Sequence, residues 1–337
     1  MKTHRKWIMI GGVALLALLT AVGVYRHQQK ESSAAYSLIY IPKTEDGTND
    51  FWTSLIEGTR MAAKEYNVSL EVMAPSREQD VERQIELLKE AIEKKPDAIL
   101  ISPSTFDEAD ALLEEAKSLG IIITFIDSYT GTDIQDLTVA TDNLKVGREL
   151  GEYASNLVDE NAQIAIVSHV KGVSTAMERE QGFREGLGAY EKNVVDVVYC
   201  NSLFDKAYEL TQELMEKYPN LQMIAGMNEY SSVGAARAVR DAGVHDRIKI
   251  VGVDTSQEAV QLLEQGVFQC LVVQKAFKMG YVGVRETVSL LKGKEVQRDI
   301  DSGCELVTPE NMYDSEIEKL IFPFSTTKQE SEAKKLQ

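Results

Sequence analysis

A chain of 337 residues, 44% apolar and 26% charged, can form one large or two ordinary domains with real cores. Its formal net charge is −17, and residues 1–30 carry five cations and no acid, so the remainder stands at −22. A body that acidic is repelled by phosphate backbones, which argues against nucleic acid as a partner and leaves a solvated surface as the reason for the charge.

Trp7 through Tyr25 is a nineteen-residue run without a charge, behind Lys2, Arg5 and Lys6. It reads as a transmembrane helix, residues 7–25, with residues 1–6 in the cytoplasm and everything beyond about residue 26 outside. Ala21-Val22-Gly23 and Ser33-Ala34-Ala35 are small-residue cleavage sites, so a cleaved signal and a secreted form are the alternative. No cysteine precedes Cys200, so a lipid anchor beside the apolar run is not expected. Cys200, Cys270 and Cys304 are far apart and imply neither a disulfide framework nor a metal pair.

Residues 26–35 read as a polar tether. From Tyr36 apolar strands alternate with amphipathic helices. Strands are expected at 37–41, 69–73, 98–101, 121–126 and 136–140, with helices to about Tyr66 and at 81–93, 107–119 and 144–158. The alternation then begins again. Strands fall at 163–167, 194–199, 223–225, 249–253 and 270–273, and helices at 175–189, 204–217, 231–242, 256–265 and 279–292. Five-residue strands joined by helices of ten to sixteen residues are what parallel crossovers require. The fold class is therefore α/β, with two doubly wound parallel-sheet lobes and a ligand between them. The tail 324–337 is polar and reads as disordered.

Candidate chemistry collects just beyond strand ends, where open α/β sheets bind ligands. Thr48-Asn49-Asp50-Phe51-Trp52 follows the first strand and sets an amide beside two aromatics. Such a group suits a ligand with C–H faces and polar edges, as a sugar has; alternatively, Phe51 and Trp52 are core anchors. Asp127, Thr141-Asp142-Asn143, Asn228-Glu229, Asp254 and Gln274 each follow a strand, and each could instead be a helix N-cap. Arg179 lies in the first turns of a helix, where a cation needs compensation; it would clamp hydroxyls or pair with Glu178 or Glu180. His169 ends a strand and could face the cleft, yet no nucleophile motif accompanies it. No Gly-rich phosphate loop follows a strand and no cluster has metal-ligand spacing, so no cofactor is implied.

With these residues in order, the chain from about Tyr36 to Met312 resembles the ribose-type sugar-binding proteins of bacterial ABC transporters, whose fold is shared with the ligand domains of lactose-repressor-type regulators. Asn49-Asp50-Phe51-Trp52 matches that family's Asn-x-Phe-Phe-like segment. Asp127 matches the aspartate after its fourth strand, and Thr141-Asp142-Asn143 its first crossing between lobes. Arg179 matches its Ser-x-x-x-Glu-Arg-x-x-Gly-Phe segment, and Phe204-Asp205 an aromatic before an aspartate. Asn228, Asp254 and Gln274 match its Asn-Asp, Val-Gly-x-Asp and return-crossing segments. Ser128 stands where ribose binders usually carry arginine, Trp52 replaces a Phe, and Glu229 replaces an aspartate. These departures point away from ribose itself.

The resemblance implies a non-enzymatic, extracytoplasmic protein, a monomer, that closes around a sugar or polyol. Its lobes are expected at 36–142 plus 275–302 and at 143–274 plus 303–323, hinged near Asn143, Gln274, Ser302 and Gly303. Asn49, Phe51, Trp52, Asp127, Thr141, Arg179, Phe204, Asn228, Asp254 and Gln274 would hold the ligand. The partner would be an ABC permease or, in a membrane-anchored sensor, a histidine kinase or chemoreceptor. A transcription regulator on this fold needs a basic helix-turn-helix, and residues 1–35 are an apolar span and tether instead. An enzyme on the same architecture is the third class.

Overall fold

The computed structural model describes residues 34–322. The expected cytoplasmic end, the membrane span 7–25, most of the tether and the tail 324–337 lie outside the described residues. Among the described residues no helix is long and apolar enough to cross a membrane.

The chain runs β1 (Ser37–Ile41), α1 (Asp50–Tyr66), β2 (Ser69–Val72), α2 (Val81–Glu93), β3 (Ala98–Ile101), α3 (Asp110–Ser118), β4 (Ile122–Ile126) and β5 (Leu137–Ala140). It continues through α4 (Asn143–Ser155), β6 (Gln163–Ser168), α5 (Ser174–Leu187), β7 (Val194–Tyr199), α6 (Phe204–Lys217) and β8 (Leu221–Gly226). Then come α7 (Glu229–Asp241), β9 (Lys249–Val253), α8 (Gln257–Glu264), β10 (Phe268–Gln274) and α9 (Ala276–Leu291). Two short strands, β11 (Asp299–Asp301) and β12 (Cys304–Val307), precede α10 (Ser315–Ile321).

Two six-stranded sheets result, ordered β11-β5-β4-β3-β1-β2 and β12-β10-β9-β8-β6-β7. The second order is the first with β6–β10 in place of β1–β5. Every pairing is parallel except β10 with β12, which is antiparallel. The expected all-parallel sheet is corrected at that one edge: β12 enters directly from β11 of the other sheet and meets β10 head to tail.

Parallel sheets covered on both faces need strands that are apolar throughout. In β1, Leu38 and Tyr40 enter the core under α1 and α9, while Ile39 and Ile41 enter the core under α2 and α3. In β6, Ala165 and Val167 face the α6–α8 side, and Ile164 and Ile166 face α4 and α5. Helices approach one another at glycines. A Cβ on Gly58 of α1 would sit 2.1 Å from the Phe277 carbonyl oxygen of α9, and one on Gly182 of α5 would sit 2.1 Å from the Leu144 carbonyl oxygen of α4.

The chain passes between the sheets three times: from β5 into α4, from β10 into α9, and from β11 into β12. The passages lie side by side. Thr141 and Ser302 share a hydroxyl hydrogen bond of 3.0 Å, and the Lys275 amide donates to the Gly303 carbonyl at 3.2 Å. Gly303 has φ 86°, a left-handed turn that suits glycine. All three cysteines are free and buried.

Candidate functional site

The carboxyl ends of the strands of both sheets face one cavity. At β4 and β9 the two lobes use the same turn. Asp127 follows β4 with φ 69° and donates its amide to the Val139 carbonyl of β5; Asp254 follows β9 with φ 72° and donates its amide to the Val272 carbonyl of β10. Left-handed backbone is costly for most residues and best tolerated by Asn, Asp and Gly. Neither aspartate caps a helix, since Ser256 is the N-cap of α8 and Asp127 has no helix after it before β5.

Each carboxylate has its own partner. Asp127 Oδ2 lies 2.8 Å from Lys43 Nζ in a buried ion pair, both side chains 4% exposed. Asp254 Oδ1 accepts from Gln274 Nε2 at 2.7 Å and Oδ2 from the Glu229 amide at 3.1 Å. Burial pushes the Asp254 carboxyl above its ordinary range. Lys43 Nζ also lies 5.9 Å from the Trp52 ring centroid.

Asn49 is the N-cap of α1, its Oδ1 accepting from the Trp52 amide at 3.0 Å. That helix start turns Phe51 and Trp52 inward, edge to face with ring centroids 5.1 Å apart. Both line the cavity and both belong to the core under α1. The Phe51 amide donates to Glu229 Oε2 at 3.1 Å, across the lobes. Trp52 Nε1 donates to Glu78 Oε1 and Ser202 Oγ donates to Glu78 Oε2, each at 2.5 Å, which makes a second bridge between lobes. Burial pushes the Glu78 carboxyl up and the Glu229 carboxyl well up.

Arg179, buried in α5, donates from Nε to Asn143 Oδ1 and from Nη1 to the Met227 carbonyl, each at 2.8 Å. It pairs with neither Glu178 nor Glu180. Asn228 caps α7 in a reciprocal box with Ser231 and also lines the cavity. His169 is buried with Nε2 2.9 Å from Thr175 Oγ1, and burial holds its imidazole well below its usual range, hence neutral.

The cavity between the closed lobes is narrow, and its lining is mostly polar or charged. Eight of the ten residues expected to hold ligand line it: Asn49, Phe51, Trp52, Asp127, Arg179, Asn228, Asp254 and Gln274. Two do not. Thr141 is held by Ser302 at the passage between lobes, and Phe204, first residue of α6, turns its ring onto Tyr230 at 4.7 Å with the Arg237 guanidinium at 5.1 Å. Lys43, Glu78, Thr175 and Glu229 line the cavity without having been assigned to it from sequence. A signal existed for Lys43, a lone cation two residues past the apolar β1. None existed for Glu78, in an irregular turn between β2 and α2.

The lobes are shut on each other. Besides the two carboxylate bridges, Tyr230 donates to Asp46 Oδ2 at 2.9 Å, the Gln257 amide to Asp50 Oδ2 at 3.2 Å, and the Tyr129 amide to Ser174 Oγ at 3.2 Å. Fold and cavity together define a two-lobed binding protein that clasps a small polar molecule.

The family model for the periplasmic binding protein domain matches residues 40–295, and the chain belongs to that family. It is 25% identical over 272 residues to the D-ribose/D-allose-binding protein of Pseudomonas aeruginosa, covering 77% of this chain and 85% of that one. It is 23% identical over 293 residues to the ribose import binding protein RbsB of Escherichia coli, covering 87% and 97%. Among solved structures, a sugar transporter from Clostridium phytofermentans shares 44% identity at a TM-score of 0.77, covering 81% and 99%. A carbohydrate transporter solute-binding protein from Agrobacterium radiobacter in complex with D-arabinose shares 27% at 0.81, covering 86% and 99%.

Proposed function

We propose that the protein is an extracytoplasmic solute-binding protein that closes around a monosaccharide or polyol and delivers it, unchanged, to an ABC permease. One observation carries the reading: a cavity between two lobes lined by two aromatic side chains and by hydrogen-bonding side chains that follow strands of both sheets. The arabinose complex of a 27% identical relative supports it. Phe51 and Trp52 stack on the sugar's C–H faces. Asp127, Asp254, Asn49, Asn228, Gln274 and Arg179 satisfy its hydroxyls, with charge-assisted bonds from the ionised groups. An analogue lacking a hydroxyl leaves a buried group unpaired, at a cost of about 1–3 kcal/mol, which is the source of specificity.

Ligand from both lobes' side chains shifts an open–closed equilibrium toward closed. We place the moving bodies at 36–142 plus 275–302 and 143–274 plus 303–323, pivoting near Asn143, Gln274, Ser302 and Gly303. The uncharged run 7–25 either anchors the protein at the extracytoplasmic face of the plasma membrane or, cleaved as a signal, releases it. Ser128 is neutral and donates its hydroxyl to the Pro103 carbonyl at 2.9 Å; the cation beside Asp127 is Lys43, which follows β1. A point cation in place of an arginine fork favours a sugar other than ribose.

The test is a thermal-shift screen of pentoses, hexoses and polyols, followed by calorimetric titration of each hit. The expected outcome is a sharp rise in Tm with one sugar, and a loss of affinity of about tenfold or more in Asp127→Ala and Arg179→Ala. No shift with any sugar refutes the reading.

A further inference from the structure

A second space adjoins the ligand cavity. It is a groove of about 1070 Å³, walled on one lobe by the starts of α1 and α9 and on the other by the β9–α8 turn and α10. Phe51, Asp254 and Gln274 line both the cavity and the groove, so one layer of side chains parts the two. Their chemistry differs. The cavity is lined mostly by polar and charged groups, whereas Val273, Ala276, Phe277, Ile317, Leu320 and Ile321 make most of the groove's accessible lining apolar. The cations on its rim are spent on near neighbours: Lys275 on Glu305 at 2.7 Å, Lys319 on Glu316 at 2.6 Å, and Lys278 on the Ser302 carbonyl at 3.0 Å. The groove therefore suits an apolar, uncharged occupant.

The boundary between the two spaces carries a second observation. Gln274, 5% exposed, commits Nε2 to Asp254 Oδ1 at 2.7 Å and leaves Oε1 buried with no hydrogen-bond partner among the described residues. Thr255, next in sequence to Asp254, lines the groove and leaves Oγ1 in the same state. A carbonyl without a donor and a hydroxyl without a partner thus stand where the polar space gives way to the apolar one. Such groups are costly to bury unpaired, and a ligand that crosses the boundary can pair both. A substituted sugar has the right atoms. A ring hydroxyl donates to Gln274 Oε1, and the oxygen joining the sugar to its substituent accepts from Thr255 Oγ1. A free sugar stops short of the groove; a sugar with an apolar substituent fills it.

We infer that the ligand is a glycoside with an apolar aglycone. Its sugar lies in the polar cavity, its glycosidic oxygen passes between Phe51 and Gln274, and its aglycone lies in the groove against Phe277 and Leu320. The inference rests on the sugar-binding reading and narrows the ligand class. Calorimetric titration of the full-length chain tests it, with pentoses and hexoses each beside its methyl and phenyl glycosides in both anomers. The phenyl glycoside of one sugar is expected to bind about tenfold tighter, or better, than both the free sugar and the methyl glycoside, a gain below that of fully burying a phenyl-sized group. Phe277→Ser and Leu320→Ser are each expected to pull that ratio toward one and to leave the affinity for the free sugar as it is. A gain that survives both substitutions overturns the inference, because the aglycone then lies elsewhere. The wild-type ratio alone decides the matter should both variants fold poorly. A free sugar that binds as tightly as its phenyl glycoside overturns the inference and leaves the sugar-binding reading intact. No binding by any member of the panel overturns both.

Discussion

Lys43 and Asp127 come from different strand ends and meet in a buried pair, and removing one partner of such a pair strands the other. Lys43→Met is expected to lower stability by about 3 kcal/mol, read as a shift in the urea midpoint at constant slope. The cap reading of the strand-end polar residues is settled residue by residue. Asn49, Asp142 and Asn228 do cap helices. Asp127 and Asp254 do not, and their left-handed backbone marks them instead. Side-chain type and position after a strand are visible in one dimension; φ is not. The signal at Lys43 was weak for a related reason, because a lysine beyond a strand is ordinarily solvated and only the carboxylate that follows β4 makes it a buried cation.

At the scale of elements, two helix seams depend on glycines that let backbones meet. Gly58 and Gly280 open the α1–α9 seam, and Gly147, Gly151, Gly182 and Gly186 open α4–α5. Gly58→Ala and Gly182→Ala are each expected to cost about 1–3 kcal/mol through overpacking, while Gly47→Ala, with nothing within 4 Å of the added carbon, changes stability by less than about 0.5 kcal/mol. Urea unfolding of the three variants checks the contrast. Periodicity located the elements that own a complete apolar pattern, and α2, β7, α6 and β9 have the expected bounds. It passed over β11 and β12. Asp299-Ile300-Asp301 carries no apolar run, and it is a strand only because β5 offers it an edge.

For the whole molecule, closure is fastened by carboxylates. Glu229 reaches across to the Phe51 amide with Asp254 and Asp50 nearby, and Glu78 reaches Ser202 with Lys43 and Asp127 nearby. Both carboxyls are raised by burial, so the folded protein holds their protons to higher pH than the unfolded chain does. The sign follows from linkage: their contribution is fully present below the ordinary carboxyl pKa and is lost as pH rises through the raised values. Ligand-free Tm is expected to fall between pH 5 and pH 8, and Glu229→Gln to flatten that fall. A Tm that rises over the interval in the wild type, or a slope unchanged by the substitution, contradicts this account.

The threefold passage of the chain between sheets also has a consequence in time. The first sheet receives its edge strand β11 and its covering helix α9 only after β6–β10 have been specified. From α9 come Met279, Val282, Val284 and Val288, which complete the core that β1 and α1 begin. As the ribosome delivers the chain from its amino end, the earlier lobe waits with one face covered by α1 alone until α9 has emerged. The lobe begun first is finished last.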